Sequence, residues 1–222
     1  MTTQELLNAF RGLHGDTATP YIYSDATLLL YANEAQREAC RRARLIVDST
    51  TAAISVVAVN PGDRTIALDP RVIFIRDVRL ASKSDPLWKI KYRDLDRLEP
   101  GWLTADAGDV THYCTDYQTN KVYFHHKFEA SDTVTMTVIR EPVADMNLSG
   151  VQPEIQSRYQ EKLTHWMAYR ALNRSDLEDK FDPERAKVEY AQFEAEFGQP
   201  SKAIDEVWTH REHGYDQYEG TF

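Results

Sequence analysis

"SDATLLLYANEAQREACRRARLIVDSTTAAISVVAV", residues 24–59, changes its hydrophobic period partway along, and the fold turns on that change. In the first part Leu28, Tyr31, Ala32, Ala35, Ala39, Ala43 and Ile46 recur at the spacing of one helix face. Ser24 suits an N-cap, and Asp25 falls in the first turn, where the helix dipole favours negative charge. Arginines gather toward the other end, where the dipole favours positive charge. Beyond the first turn the stripe is mostly small. Ala35, Ala39 and Ala43 would let another backbone approach closely, either inside a helical bundle or at a contact between subunits. From about Thr50 the pattern becomes β-branched and alternating, beginning with "AISVVAV".

The β pattern continues through "RTIALD", "RVIFIRDVRLAS" and "PLWKIKY", and then through "THYCTDY", "KVYFHHK" and "TVTMTVIREP". "NPGD" at 60–63 and "SDP" at 84–86 are turn chemistry between antiparallel strands, because Pro presets φ and Gly accepts positive φ. "RDLDRLEPGW" reads as one helical turn and a loop. Before residue 24, "TTQELLNAF" places Leu6, Leu7 and Phe10 on one helix face, stopped near Gly12 and Gly15. After the β pattern, "PEIQSRYQEKLTHWMAYRALNR" predicts one long helix with Pro153 in its first turn. "DPERAKVEYAQFEAEFG" predicts another, with Asp182 as cap, Pro183 at the first helical position and Gly198 ending it in a left-handed conformation. The expected fold class is therefore α+β, a helical bundle with an inserted antiparallel β-domain and an extended C-terminal tail. Residues 1–49 and 143–198 would form the bundle, 50–142 the β-domain and 199–222 a C-terminal arm. In that arm Ile204, Val207, Trp208, Tyr215, Tyr218 and Phe222 are too many large apolar groups for a short segment to bury alone. It docks on its own domain, stays disordered, or lays its aromatic side chains on a partner.

The 222 residues and 42% hydrophobic content suffice for a buried core. No apolar run approaches the roughly 20 residues of a membrane span, and the N-terminal stretch lacks signal-peptide character. A soluble protein of the cytoplasm is the expectation. Cys40 and Cys114 are too few and too scattered for a disulfide framework. The formal net charge of −9 argues against affinity for nucleic acid, which rests on Lys and Arg neutralising phosphates.

"HYCTDYQTNKVYFHH", residues 112–126, is the one stretch with metal-ligand chemistry. A hairpin turning at Thr119–Asn120 would set residue 114 opposite 125 and 116 opposite 123. His112, Cys114 and His125 would then share one face, with His126 on the other. Against a metal site stands the lack of any HExxH, CxxC or HxE…PCxxC pattern. There is also no Walker A loop, GxGxxG or GxSxG elbow. Asp94, Asp96 and Glu99 read as a solvated acidic face. No catalytic residue and no cofactor are expected.

The order of parts carries a resemblance. "YSDATLLLYANEAQREACRRA", a β-insert with "DPLWKI", "LEPGW" and "HYCTDYQTNKVYF", then "REPVADMNL", "VQPEIQSRYQEKLTHWMAYRAL" and "AQFEAEFG" together resemble the head-to-tail adaptor proteins of tailed bacteriophages, over roughly residues 20–198. The resemblance implies a structural virion protein of the neck, assembled in the host cytoplasm. It implies a ring of roughly twelve copies under the portal protein that extends the DNA channel and offers a docking surface to a tail or neck protein. DNA would pass through without specific binding, no membrane would be involved, and the aromatic arm would bind the portal. A tail-tube or tail-completion component is the alternative within the structural class. A small metal-dependent hydrolase using His112, Cys114 and His125 is the alternative outside it.

Overall fold

A computed structural model describes residues 1–174 and 181–200. The aromatic arm, with Ile204, Val207, Trp208, Tyr215, Tyr218 and Phe222, lies outside the described residues. The chain divides into two compact units, one formed by Met1–Ile46 with Glu141–Ser201, the other by Val47–Arg140.

In the first unit the helices are α1 (Thr3–His14), α2 (Asp25–Ala43), α4 (Ser157–Gln160), α5 (Leu163–Leu172) and α6 (Pro183–Phe197), with α3 (Tyr92–Leu98) in the second unit. Local chemistry sets most of their ends. Thr2 and Glu5 form a capping box on α1, and Gly15 ends it in the left-handed conformation that glycine adopts at no steric cost. Ser24 accepts the Thr27 amide at the start of α2. Asp182 caps α6, with Pro183 following. Gly198 has positive φ as expected, but its ψ of 173° takes it out of the left-handed helical region. Ile46 lies beyond the end of α2, buried in the link that follows.

The single long helix expected from Pro153 is not formed. The chain from 151 to 156 is irregular, and helix runs only in α4 and α5. The buried Gln160 side chain donates to the carbonyls of Pro153 and Ile155 at 3.3 and 2.8 Å, taking up acceptors that a helix would have used. α5 packs against α1, α2 and α6. Leu163, Met167 and Ala171 of α5 are buried, as are Leu6, Leu7 and Phe10 of α1 and Phe193 and Phe197 of α6. Ala35 and Ala39 have no exposed surface, so these two small residues are used in packing within their own unit, while Ala43 is half-buried.

Polar side chains fasten the strand-like stretch after Glu141 to α1 and α2. Asn33 donates to the Met146 carbonyl at 3.1 Å and accepts its amide at 2.7 Å, as a neighbouring strand would. Gln36 accepts the Glu154 amide at 2.8 Å, and the Thr3 hydroxyl donates to the Val151 carbonyl at 2.8 Å.

The second unit holds two four-stranded sheets. In the first, β8 (Asp132–Arg140) pairs antiparallel with β1 (Val47–Asp48), β2 (Val56–Val59) and β4 (Val72–Leu80). The second has the order β3 (Thr65–Ala67), β7 (Lys121–Phe124), β6 (His112–Cys114), β5 (Trp88–Lys89). Its β5–β6 pair is parallel, so the β-domain is mixed rather than wholly antiparallel. The parallel pairing follows from the long crossover between these strands, which contains α3 (Tyr92–Leu98) and a 3-10 turn (Trp102–Thr104). The "RDLDRLEPGW" stretch is thus more helical than one turn. Alternate residues such as Val134, Met136 and Val138 of β8 and Val122 and Phe124 of β7 form the core of this unit.

Candidate functional site

The hairpin of β6 and β7 carries the residues singled out above, in a different register. Tyr113 lies opposite Phe124 and Cys114 opposite Tyr123, so His112 rather than Cys114 stands beside His125. The slip of two residues comes from the connection 115–120, which is a wide loop and not a tight turn. Tyr117 packs on Tyr123 and Trp102, with centroids 4.9 and 5.7 Å apart, and the Asp116 carboxylate accepts the Tyr92 amide at 3.0 Å.

Cys114 is turned into a separate apolar cluster with Leu95 and Trp102. Burial, aided by Asp116 and Asp96, pushes its thiol up to about 12. With no exposed surface in this cluster, the cysteine is a packing residue. His126 does not point away from His125 as strand alternation predicts. The ladder ends at Phe124, the chain bends through residues 125 and 126, and the two ring centroids lie 4.2 Å apart.

Arg64 fixes this corner. Its buried guanidinium donates to the carbonyls of Trp102, Ala105 and His125, the last at 2.6 Å, and so ties the segment after α3 to the end of β7. Glu99, at the C-cap of α3, is thereby placed with a carboxylate oxygen 3.7 Å from Nε2 of His126. Glu99, His125 and His126 each offer one ligand atom within 4.8 Å of the other two. His112 lies alongside, its ring centroid 5.2 Å from that of His125. Burial lowers the pKa of His125 to about 4, with His126 and His112 adding to the effect, and burial also lowers that of His112.

Glu99 and His126 were not legible as partners of His125. Their approach depends on a bend in the backbone and on a buried arginine bound to carbonyls, neither of which has a pattern in sequence. The acidic group does not act as one solvated face either, because Asp96 accepts the indole N–H of the fully buried Trp102 at 2.6 Å.

The helical unit has a recess of about 300 Å³ walled by Phe10, His14, Ile22, Tyr23, Phe181 and Arg185, among others. Ile22 and Phe181 leave much of their apolar surface exposed there. No helix among the described residues is long and apolar enough to cross a membrane.

No curated protein matches the chain. The family model described as SU10 adaptor protein matches residues 1–213, nearly the whole sequence. The resemblance carried by the order of helices, β-insert and helices thus has an independent counterpart, and the chain belongs to this family of phage head-tail adaptors.

Proposed function

We propose that this adaptor assembles as a ring of roughly twelve copies beneath the portal, extending the DNA channel and presenting a docking surface to the tail or to the next neck protein. The observation that carries the reading is the family match over residues 1–213. Two further features support it. The helical unit, held by interlocked α1, α2, α5 and α6, suits the rigid bundle of a ring subunit. The net charge of −9 suits a conduit, since phosphates are repelled and DNA is not retained.

Portal binding is assigned to the arm from residue 199 onward, where Trp208, Tyr215, Tyr218 and Phe222 supply the aromatic anchors that dominate interface energies. The role is structural and non-catalytic. The test is negative-stain imaging of the protein mixed with the portal ring of its phage, beside each component alone. A second ring on one end of the portal, with an open channel, is the expected result. Portal rings that stay bare at high protein concentration would overturn the portal assignment in favour of a more distal tail position.

A further inference from the structure

We propose that Glu99, His125 and His126 form a binding site for a divalent transition metal ion of the Zn²⁺ class, which clamps the end of α3 to the end of β7. Two imidazoles and a carboxylate are the donor set that borderline ions of this class prefer, whereas Ca²⁺ and Mg²⁺ take oxygen ligands alone.

The geometry is prepared by parts of the unit that are not ligands. Arg64 holds the His125 carbonyl and the Trp102 carbonyl with the same guanidinium nitrogen, so the backbone carrying the histidines and the segment following Glu99 are fixed to one another. The His126 ring lies over Gly108, where an added Cβ would come within 3.2 Å of the ring's Cγ. A side chain at 108 would make the ring give way by a few tenths of an ångström. The three candidate ligand atoms lie within 4.8 Å of one another. Ligands around a tetrahedral ion at about 2.0–2.1 Å are separated by about 3.3 Å, so contraction by at most about 1.5 Å completes the site. Glu99 and His126 can supply it, because their side chains are 32% and 27% exposed, while His125 is anchored.

The ring nitrogens are also available. His126 turns Nε2 toward Glu99, 3.7 Å away, while its Nδ1, on the side of Gly108, is buried without a hydrogen-bond partner. Nδ1 of His125 accepts the His112 amide at 3.3 Å and its Nε2 lies 3.3 Å from the Thr111 hydroxyl. Both contacts are at the long end of hydrogen bonding, so exchanging one for a metal bond sacrifices little. The other then orients the ring, as outer partners of metal-bound histidines do. Three protein ligands leave a position for water on the exposed side. Neither Cys114 nor the hydrolase chemistry considered from sequence has a part in this site, and the proposal does not depend on the adaptor's place in the neck.

The test uses the full-length, untagged chain stripped with chelator, titrated calorimetrically with Zn²⁺ alone and optically with Co²⁺. The expected result is saturable one-to-one binding with a Co²⁺ ligand-field band, weakened by roughly tenfold or more in both Glu99→Gln and His126→Gln. Thermal unfolding of the metal-free variants verifies that they fold as the parent does. Because His210 and His213 also occur in the chain, a double variant with both changed to Gln is titrated in parallel and should bind as the parent does. The proposal is overturned if the parent shows no saturable binding, if Glu99→Gln and His126→Gln bind undiminished, or if binding vanishes with the two C-terminal histidines.

Discussion

The Asp48 carboxylate lies 2.6 Å from Nε of Arg140, with both side chains about nineteen-twentieths buried. One residue stands in the first strand of the β unit and the other ends its last, so the pair joins the beginning of that unit to its end. Burial by itself raises the carboxyl pKa. Hydrogen bonds from Thr51, Thr50 and Arg140 outweigh that and hold it well below the usual carboxylate range.

Asp48→Asn should therefore cost about 3 kcal/mol at pH 7, because it removes the buried carboxylate charge 2.6 Å from Arg140. The pH dependence follows from the direction of the shift. A depressed carboxylate stabilises the fold fully above its unfolded value of about 3.9, and this contribution is lost as pH falls through the lower native value. Urea unfolding at pH 7 should show the loss, and the parent should weaken more steeply than the variant below about pH 4. Equal stabilities at pH 7 would remove the pair as a stabilising element.

Arg42 should resist replacement by lysine. Its guanidinium lies 5.2–5.5 Å from the ring centroids of Trp166, Tyr190 and Phe193, and its Nε is 2.7 Å from Glu38. A planar, weakly hydrated cation suits this aromatic surrounding, and an ammonium does not. Arg42→Lys is expected to lower stability by about 1–2 kcal/mol, read as a lower midpoint in urea. Arg42→Ala should cost more, since the aromatic contacts are lost as well and Glu38 keeps only the longer contact to Arg41, at 3.4 Å.

Asn33→Ala should cost about 1–3 kcal/mol, because the buried amide and carbonyl of Met146 lose the group that satisfies both. Hydrogen exchange gives a local readout. The Met146 amide should exchange faster in the variant, and unchanged protection would mean that the Asn33 contact is not what holds this segment.

A chain ending at Gly198 should keep a cooperative thermal transition, since α6 ends at Phe197 and its packing residues Ala186, Phe193 and Phe197 remain. It should no longer bind the portal ring in co-sedimentation. Full binding by the truncated chain would move the contact from the arm to the folded units.

The elements readable in advance were those determined locally. Ser24, Asp182 and Pro183 act within one turn of helix, and alternation along β4 and β8 reports burial on one face. The misreadings arose where a distant group decides the outcome. Gln160 interrupts the helix predicted from Pro153 by binding carbonyls behind it. The parallel partner of β5 depends on a crossover of more than twenty residues, and the hairpin register on Tyr117 folding over its neighbours. The histidine cluster combines both difficulties, since His125 could be singled out by residue type while Glu99 and His126 reach it only through the corner that Arg64 builds.

Every ladder in the first sheet includes β8, the last strand of the unit to leave the ribosome. Until Asp132–Arg140 has been synthesised, β1, β2 and β4 have no strand in common to pair with, and their apolar faces wait uncovered. Chains grow at about 5–20 residues per second, so this exposure lasts for seconds in a nascent chain. The sheet closes in one late event rather than hairpin by hairpin, a long-range topology that folds slowly. Premature termination before Asp132 would therefore release a fragment lacking the whole sheet, not a protein short of one strand.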